Sequence, residues 1–139
     1  MRTSRFFALS LLACLMGVLQ PLHSEETKTD PRLIGVWVSD REKTIQRMRF
    51  KEGATPEQKA KIAELFGKLR IEYTAAEVRT DFEGSSESGP YQVIASDKDS
   101  VVILGKGMDG PKLMQIHFEP GGYYILSGFI IEFFKRLTP

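Results

Sequence analysis

One cysteine, Cys14, and no asparagine occur in 139 residues, and the cysteine sits inside an N-terminal apolar run. Disulfide staples and thiolate chemistry are therefore excluded from the chain beyond that run. N-glycosylation is excluded with asparagine, and turns have to be made by Gly, Asp, Ser and Pro. Histidine is nearly as scarce, with His23 and His117 the only two. Charge of one sign is lacking as well. Of 19 basic and 18 acidic residues, removing Arg2 and Arg5 with the N-terminal run leaves 17 basic and a net charge of −1. No global field marks the chain as a nucleic-acid binder.

The N-terminal run has the layout of an export signal. Arg2 and Arg5 form a positive start, Phe6 to Leu19 are apolar with Ser10 the only polar member, and Gln20-Pro21 end the run before a cut after Ser24. The run is too short for a comfortable bilayer span, which takes roughly 20 apolar residues. Residues 1–24 read as a signal peptide, 25–32 as a flexible lead-in and 33–139 as one domain, which implies an exported, periplasmic protein. A second reading stays open. Leu11-Leu12-Ala13-Cys14 resembles a bacterial lipobox, in which Cys14 would carry the lipid anchor, although Leu15 to Leu19 stay apolar where a lipoprotein usually turns polar.

Leu33 to Ser39 reads as a strand that is apolar on both faces, with Leu33, Gly35 and Trp37 on one and Ile34, Val36 and Val38 on the other. Ser39 with Glu42 has capping-box spacing and opens a short helix through Arg49; Thr55-Pro56-Glu57-Gln58 opens another from Pro56 to Phe66, closed by Gly67. From Lys68 the apolar period becomes two. Leu69-Ile71-Tyr73 and Val78-Thr80-Phe82 are half-buried strands, and further runs follow at 90–96, 100–105, 112–119, 122–127 and 129–137. The Ser-rich stretch Gly84 to Gly89 lacks the strand-to-helix setting of a phosphate cradle and reads as a mobile hairpin tip. One strand, a helical insert (about 40–66) and seven more strands give a mainly β fold. Pairing the first strand with the last removes both long edges, so an eight-stranded antiparallel up-and-down barrel is expected.

With Gly35 and Trp37 on the first strand and Phe133-Phe134-Lys135-Arg136 on the last, the chain resembles the lipocalin and fatty-acid-binding-protein (calycin) superfamily. It also resembles the small exported lipocalin-like domains of Gram-negative bacteria. The resemblance implies that the tryptophan closes one barrel end beneath a basic side chain, Arg136 or, with the register shifted by one, Lys135. Gly35, Trp37 and Arg136 would then be structural. The helical insert is closer to the fatty-acid-binding branch, but the last strand carries no Arg-x-Tyr carboxylate clamp, so the resemblance stops short of a fatty-acid ligand.

Seven aromatic residues, Tyr73, Phe82, Tyr91, Phe118, Tyr123, Phe129 and Phe133, alternate with polar neighbours and are the candidates for the barrel interior. Either they line a cavity for a small hydrophobic or amphipathic ligand, or they fill a solid core. The insert is the basic part of the chain. From Arg41 to Arg70 nine basic residues stand against four acidic ones, and Arg41, Lys43, Arg47, Arg49 and Lys51 could meet an anionic membrane surface. His117, flanked by Ile116 and Phe118, should lie on the opposite strand face from both, at the surface, and no second residue completes a catalytic or metal-binding motif with it. The expectation is a non-catalytic, cofactor-free binding protein; the alternative is an envelope interaction module with a filled barrel.

Overall fold

The computed structural model describes residues 29–138 except residue 108. The expected signal peptide, Cys14 and residues 25–28 of the lead-in lie outside the described residues. Nine strands are present: β1 (Gly35–Ser39), β2 (Leu69–Tyr73), β3 (Glu77–Phe82), β4 (Ser85–Pro90), β5 (Gln92–Ser96), β6 (Ser100–Gly107), β7 (Gly110–Glu119), β8 (Gly122–Ser127) and β9 (Ile130–Arg136). Helices α1 (Arg41–Arg47) and α2 (Pro56–Ala63) lie between β1 and β2. All pairings are antiparallel, and the order β4-β3-β2-β1-β9-β8-β7-β6-β5 makes one nearly closed barrel.

The first and last strands pair as expected, with Trp37 opposite Arg136 and Ser39 opposite Phe134. The two free edges reappear elsewhere. β4 and β5 are the ends of the sheet, and only Tyr91 separates them in the chain. They are two halves of one bent strand: the first half pairs with β3, the second with β6. This is how nine strands stand where eight were expected. The stretch read as a mobile tip is β4 itself, folded back by a two-residue turn in which Glu83 and Gly84 both have positive φ (50° and 86°). That backbone matches the twist of a tight hairpin. Without an apolar member at alternate positions, β4 left no period-two signal to read.

Register assigns the faces. Trp37, Ile71, Tyr73, Val101, Ile103, Ile116, Tyr123 and Phe134 are buried in the barrel core. Tyr123 is completely inaccessible; its ring stands edge-on to Trp37 at 4.7 Å and stacks on Phe134 at 5.0 Å.

The helices hold the wall where β1 ends. Asp40 caps α1 by accepting from the Lys43 N–H at 3.1 Å; Ser39, expected in that role, faces inward instead, donating to Glu132 at 2.6 Å and accepting from Gly67 N at 2.9 Å. Beyond Ser39, the β1-side edge of β9 has no strand beside it. The Phe133 carbonyl accepts from Asp40 N at 2.7 Å and its N–H donates to the buried Thr44 Oγ1 at 3.0 Å, so α1 takes over the ladder. α1 stops at Arg47, short of Arg49. α2 has the expected Thr55–Gln58 capping box, ends at Ala63, and tightens into i→i−3 bonds at Leu65 and Phe66 before Gly67.

The closed end is built by two arginines. Arg136 lies 4.3 Å above the Trp37 ring and donates to the carbonyls of Ile34 (2.7 Å) and Arg32 (3.0 Å). Arg32 lies 4.3 Å above Phe118, grips Asp30, and donates to the Asp97 and Lys98 carbonyls at 2.8 and 2.7 Å. Residues 30–32, expected to be flexible, are thus tied across the barrel end, and Leu33 behind them is fully buried and precedes the strand it was assigned to.

Two predictions follow from this closure. Gly35 has φ +131°, and a Cβ there would sit 2.5 Å from Arg136 Nη1. Gly35→Ala is expected to cost about 1–3 kcal/mol, read by urea unfolding followed through Trp37 emission. The Asp30 carboxyl is held down to about 2 from the usual 3.8, chiefly by the Arg32 guanidinium, with burial opposing. A depressed carboxyl contributes stability above its unfolded value and loses it as pH falls through its folded one. Unfolding curves should therefore show Asp30→Asn less stable than the parent at neutral pH, with the gap closing between pH 3.8 and about 2.

Candidate functional site

The seven candidate aromatics separate into three groups. Tyr73, Tyr91 and Tyr123 are buried in the core and Phe118 is half-buried against it. Phe82 faces inward opposite Leu69, but at the open end of the barrel, 44% exposed. Phe133 and Phe129 do not face the interior as expected. Arg136 over Trp37 fixes the inward parity of β9, so Phe134 and Glu132 point in and Phe133 points out, because residues an odd number apart on one strand face opposite sides. Phe133 is nonetheless buried, since α1 covers it and the Lys43 ammonium lies 5.1 Å from its ring. Phe129 occupies the second position of the Gly128-Phe129 turn and is fully exposed.

The inward rings pack against one another. Tyr73 meets Tyr91 edge-on at 5.5 Å, and Tyr91 Oη donates to the Thr74 carbonyl at 2.7 Å. Tyr123 Oη has no hydrogen-bond partner; burial first, and the neighbouring Tyr73 next, push its hydroxyl well above 10. Burial likewise raises Glu132 above its usual 4.5, against the lowering effect of the Ser39 hydroxyl. These are features of a packed interior with a small polar pocket of its own side chains.

Outside the barrel, His117, Tyr124 and Phe133 are direct cross-strand neighbours, and the His117 ring stacks on Tyr124 at 4.8 Å. His117 is on the expected face but half-buried, with Nε2 enclosed and unpartnered. Of the five insert cations, Lys43 is committed to an ion pair with Glu119, while Arg41, Arg47, Arg49 and Lys51 are exposed. Among the described residues no group of three or more His, Cys, Asp or Glu is placed to hold a metal ion, and no helix is long and apolar enough to cross a membrane.

A cavity of about 560 Å³ lies at the seam, lined by Val78 and Thr80 of β3, Glu87 to Pro90 of β4, and Lys106 and Gly107 of β6. None of the seven aromatics lines it. Four consecutive β4 residues border it, and successive side chains alternate between the faces of a strand. Val78 and Thr80 stand opposite the core residues Tyr73 and Ile71, and Gly89 and Glu87 stand opposite them in turn, so the space lies over the inner face of β3 and β4 at the end of the sheet and reaches Lys106 and Gly107 across the seam. The sequence offered no signal for it, because the gap exists only where the two halves of the bent strand choose different partners.

Comparison of the chain with family models, with curated proteins and with solved structures finds no match.

Glu132 supplies a pH test of the packed interior. A carboxyl raised by burial loses stability as pH climbs from the unfolded value through the higher folded one. Glu132→Gln, which keeps a Ser39 partner and removes the charge, should match the parent near pH 4 and exceed it in urea midpoint at pH 7. Equal midpoints at both pH values would mean that Glu132 is solvated.

Proposed function

We propose that the protein is an exported, non-catalytic interaction module whose barrel is a rigid frame and not a container. The observation that carries this reading is the filled interior: Tyr123, with no accessible surface, stands between Trp37 and Phe134 where a central ligand would lie. Support comes also from the outside. The exposed cations Arg41, Arg47, Arg49 and Lys51 suit an anionic surface, membrane included, and Leu126, Phe129, Ile130 and Ile131 expose apolar area around the β8–β9 turn. The lipocalin-like layout accounts for the frame; the reading departs from that resemblance in denying it an internal ligand.

Binding of a small hydrophobic or amphipathic molecule is the second reading, and the seam cavity favours it. Its 560 Å³ lies within the rough range of 300–1,000 Å³ over which pockets take drug-sized ligands. Native mass spectrometry of protein released from its own periplasm separates the two. The interaction module is expected at its bare polypeptide mass, with Trp37 emission unchanged on adding oleate. A stoichiometric apolar mass increment, or an oleate-dependent emission shift, would sink the filled-barrel reading.

A further inference from the structure

We propose that the outer wall of β6 to β9, at the end that carries the β8–β9 turn, docks on an anionic lipid surface, with Phe129 entering the acyl boundary and the cations of the helical insert meeting the headgroups. The inference rests on the interaction-module reading and names its partner. Register puts an apolar strip on that wall. Val101, Ile103 and Ile116 are buried in the core, so Val102 and Leu104, with their partners Gln115 and Leu113, point outward. On the next two strands Leu126 pairs with Ile131, and both face outward because Glu132, beside Ile131 in the chain, faces in. Leu113 and Leu126 are more than half exposed. The outward positions from Val102 to Lys106 and from Pro111 to Gln115, together with Leu126 and Ile131, include one cation, Lys106, and no carboxylate. Asp109 stands in the β6–β7 turn, and Glu119, further along β7, is already paired with Lys43. Phe129 carries the strip beyond the wall. It fills the second position of the two-residue turn between Ser127 and Ile130 and is fully exposed, a ring held at a convex tip by two paired strands.

Charge selects the lipid. α1 lies against β9, where Asp40 N and Thr44 Oγ1 bond to the Phe133 main chain, on the strand that leads out of the Phe129 turn. Arg41 and Arg47 of α1, with Arg49 and Lys51 after it, are exposed, and Glu42 is the single acid between Arg41 and Lys51. The strip is therefore flanked by cations on its β9 side and by Lys106 on its β6 side. An apolar surface bordered by cations matches the layering of an anionic bilayer interface, in which acyl chains lie beneath phosphate headgroups and apolar burial adds to electrostatic attraction. Shape points the same way. A folded partner would need a socket cut to a convex strip and a protruding ring, whereas a fluid lipid boundary closes around either.

The test is co-sedimentation of the mature chain with vesicles of mixed phosphatidylglycerol and phosphatidylcholine, against vesicles of phosphatidylcholine alone. Binding is expected on the anionic vesicles and should weaken as salt is raised. Phe129→Ser, at a fully exposed position, should lower the partition coefficient about tenfold or more through lost apolar burial. Arg47→Gln should lower it about fivefold, the effect of one cation at an anionic membrane surface. Both variants are expected to keep the parent Trp37 emission. Arg79→Gln removes the same charge from the outer face of β3, elsewhere on the wall, and should leave binding as it is. On anionic bicelles carrying a nitroxide lipid, the amides from Leu126 to Ile131 should broaden ahead of the rest of the chain. Equal binding to neutral vesicles would overturn the proposal, as would equal losses from Arg47→Gln and Arg79→Gln. Failure to bind vesicles would also overturn it, leaving the interaction module standing with a protein partner, a second copy if sedimentation shows a dimer that Phe129→Ser abolishes. The module reading falls separately, when native mass spectrometry shows a bound apolar molecule.

Discussion

The contact of Arg136 with Trp37 is the constraint on which the rest of this barrel depends. It needs three things at once: an indole facing inward on the first strand, a cation at the matching register of the last, and no side chain at Gly35, where the guanidinium passes. A cation over a ring face is worth about 0.5–1 kcal/mol at an exposed site and about 2 kcal/mol where it is desolvated. Its consequence is larger than its energy, because it fixes the parity of β9 against β1, and a one-residue slip would exchange Phe134 and Glu132 for Phe133 and Lys135 in the interior. The same guanidinium donates to Ile34 and Arg32, so that Arg32 is held over Phe118 and the strap from Asp30 onward lies across the barrel end.

With that end shut and the centre occupied by Trp37, Tyr123 and Phe134, the cavity of about 560 Å³ lies at the other end, where β4 approaches β6. The strand that runs from Ser85 to Ser96 bends at Pro90-Tyr91 and changes neighbours there. Tyr91 anchors the bend, with N–H on the Ala76 carbonyl and hydroxyl on the Thr74 carbonyl. Each half satisfies one edge and leaves the other open. The structure thus combines a packed core, which resists deformation, with a bent strand each half of which is paired on one side only.

Much of the fold was legible. The Thr55-Pro56-Glu57-Gln58 cap, the period-two runs from Leu69 onward and the pairing of first with last strand all depend on local chemistry or simple pattern, and all are present. The site was legible in much smaller part. Tyr73, Tyr91 and Tyr123 are inward, yet Phe133 was placed on the same face as Arg136 three residues away, which the two-residue period forbids. Phe134 was overlooked for the same reason. Ser39 lost its capping role to Asp40 because β1 carries it inward to Glu132, and a capping pattern cannot register what lies across the barrel. β4 was missed because a polar edge strand, exposed on both faces, has the composition of a loop.

Which residues form strands and helices, and that the ends of the chain should meet, is determined by the sequence itself, since periodicity, caps and turn residues act over a few positions and are written there. Tertiary structure alone decided which side of each strand faces the core, that the tyrosines fill the barrel and do not line a cavity, and that one strand divides its two halves between two partners. Those outcomes depend on register between segments up to about a hundred residues apart, as between Arg136 and Ile34, and register is set by packing and main-chain pairing that no local pattern contains.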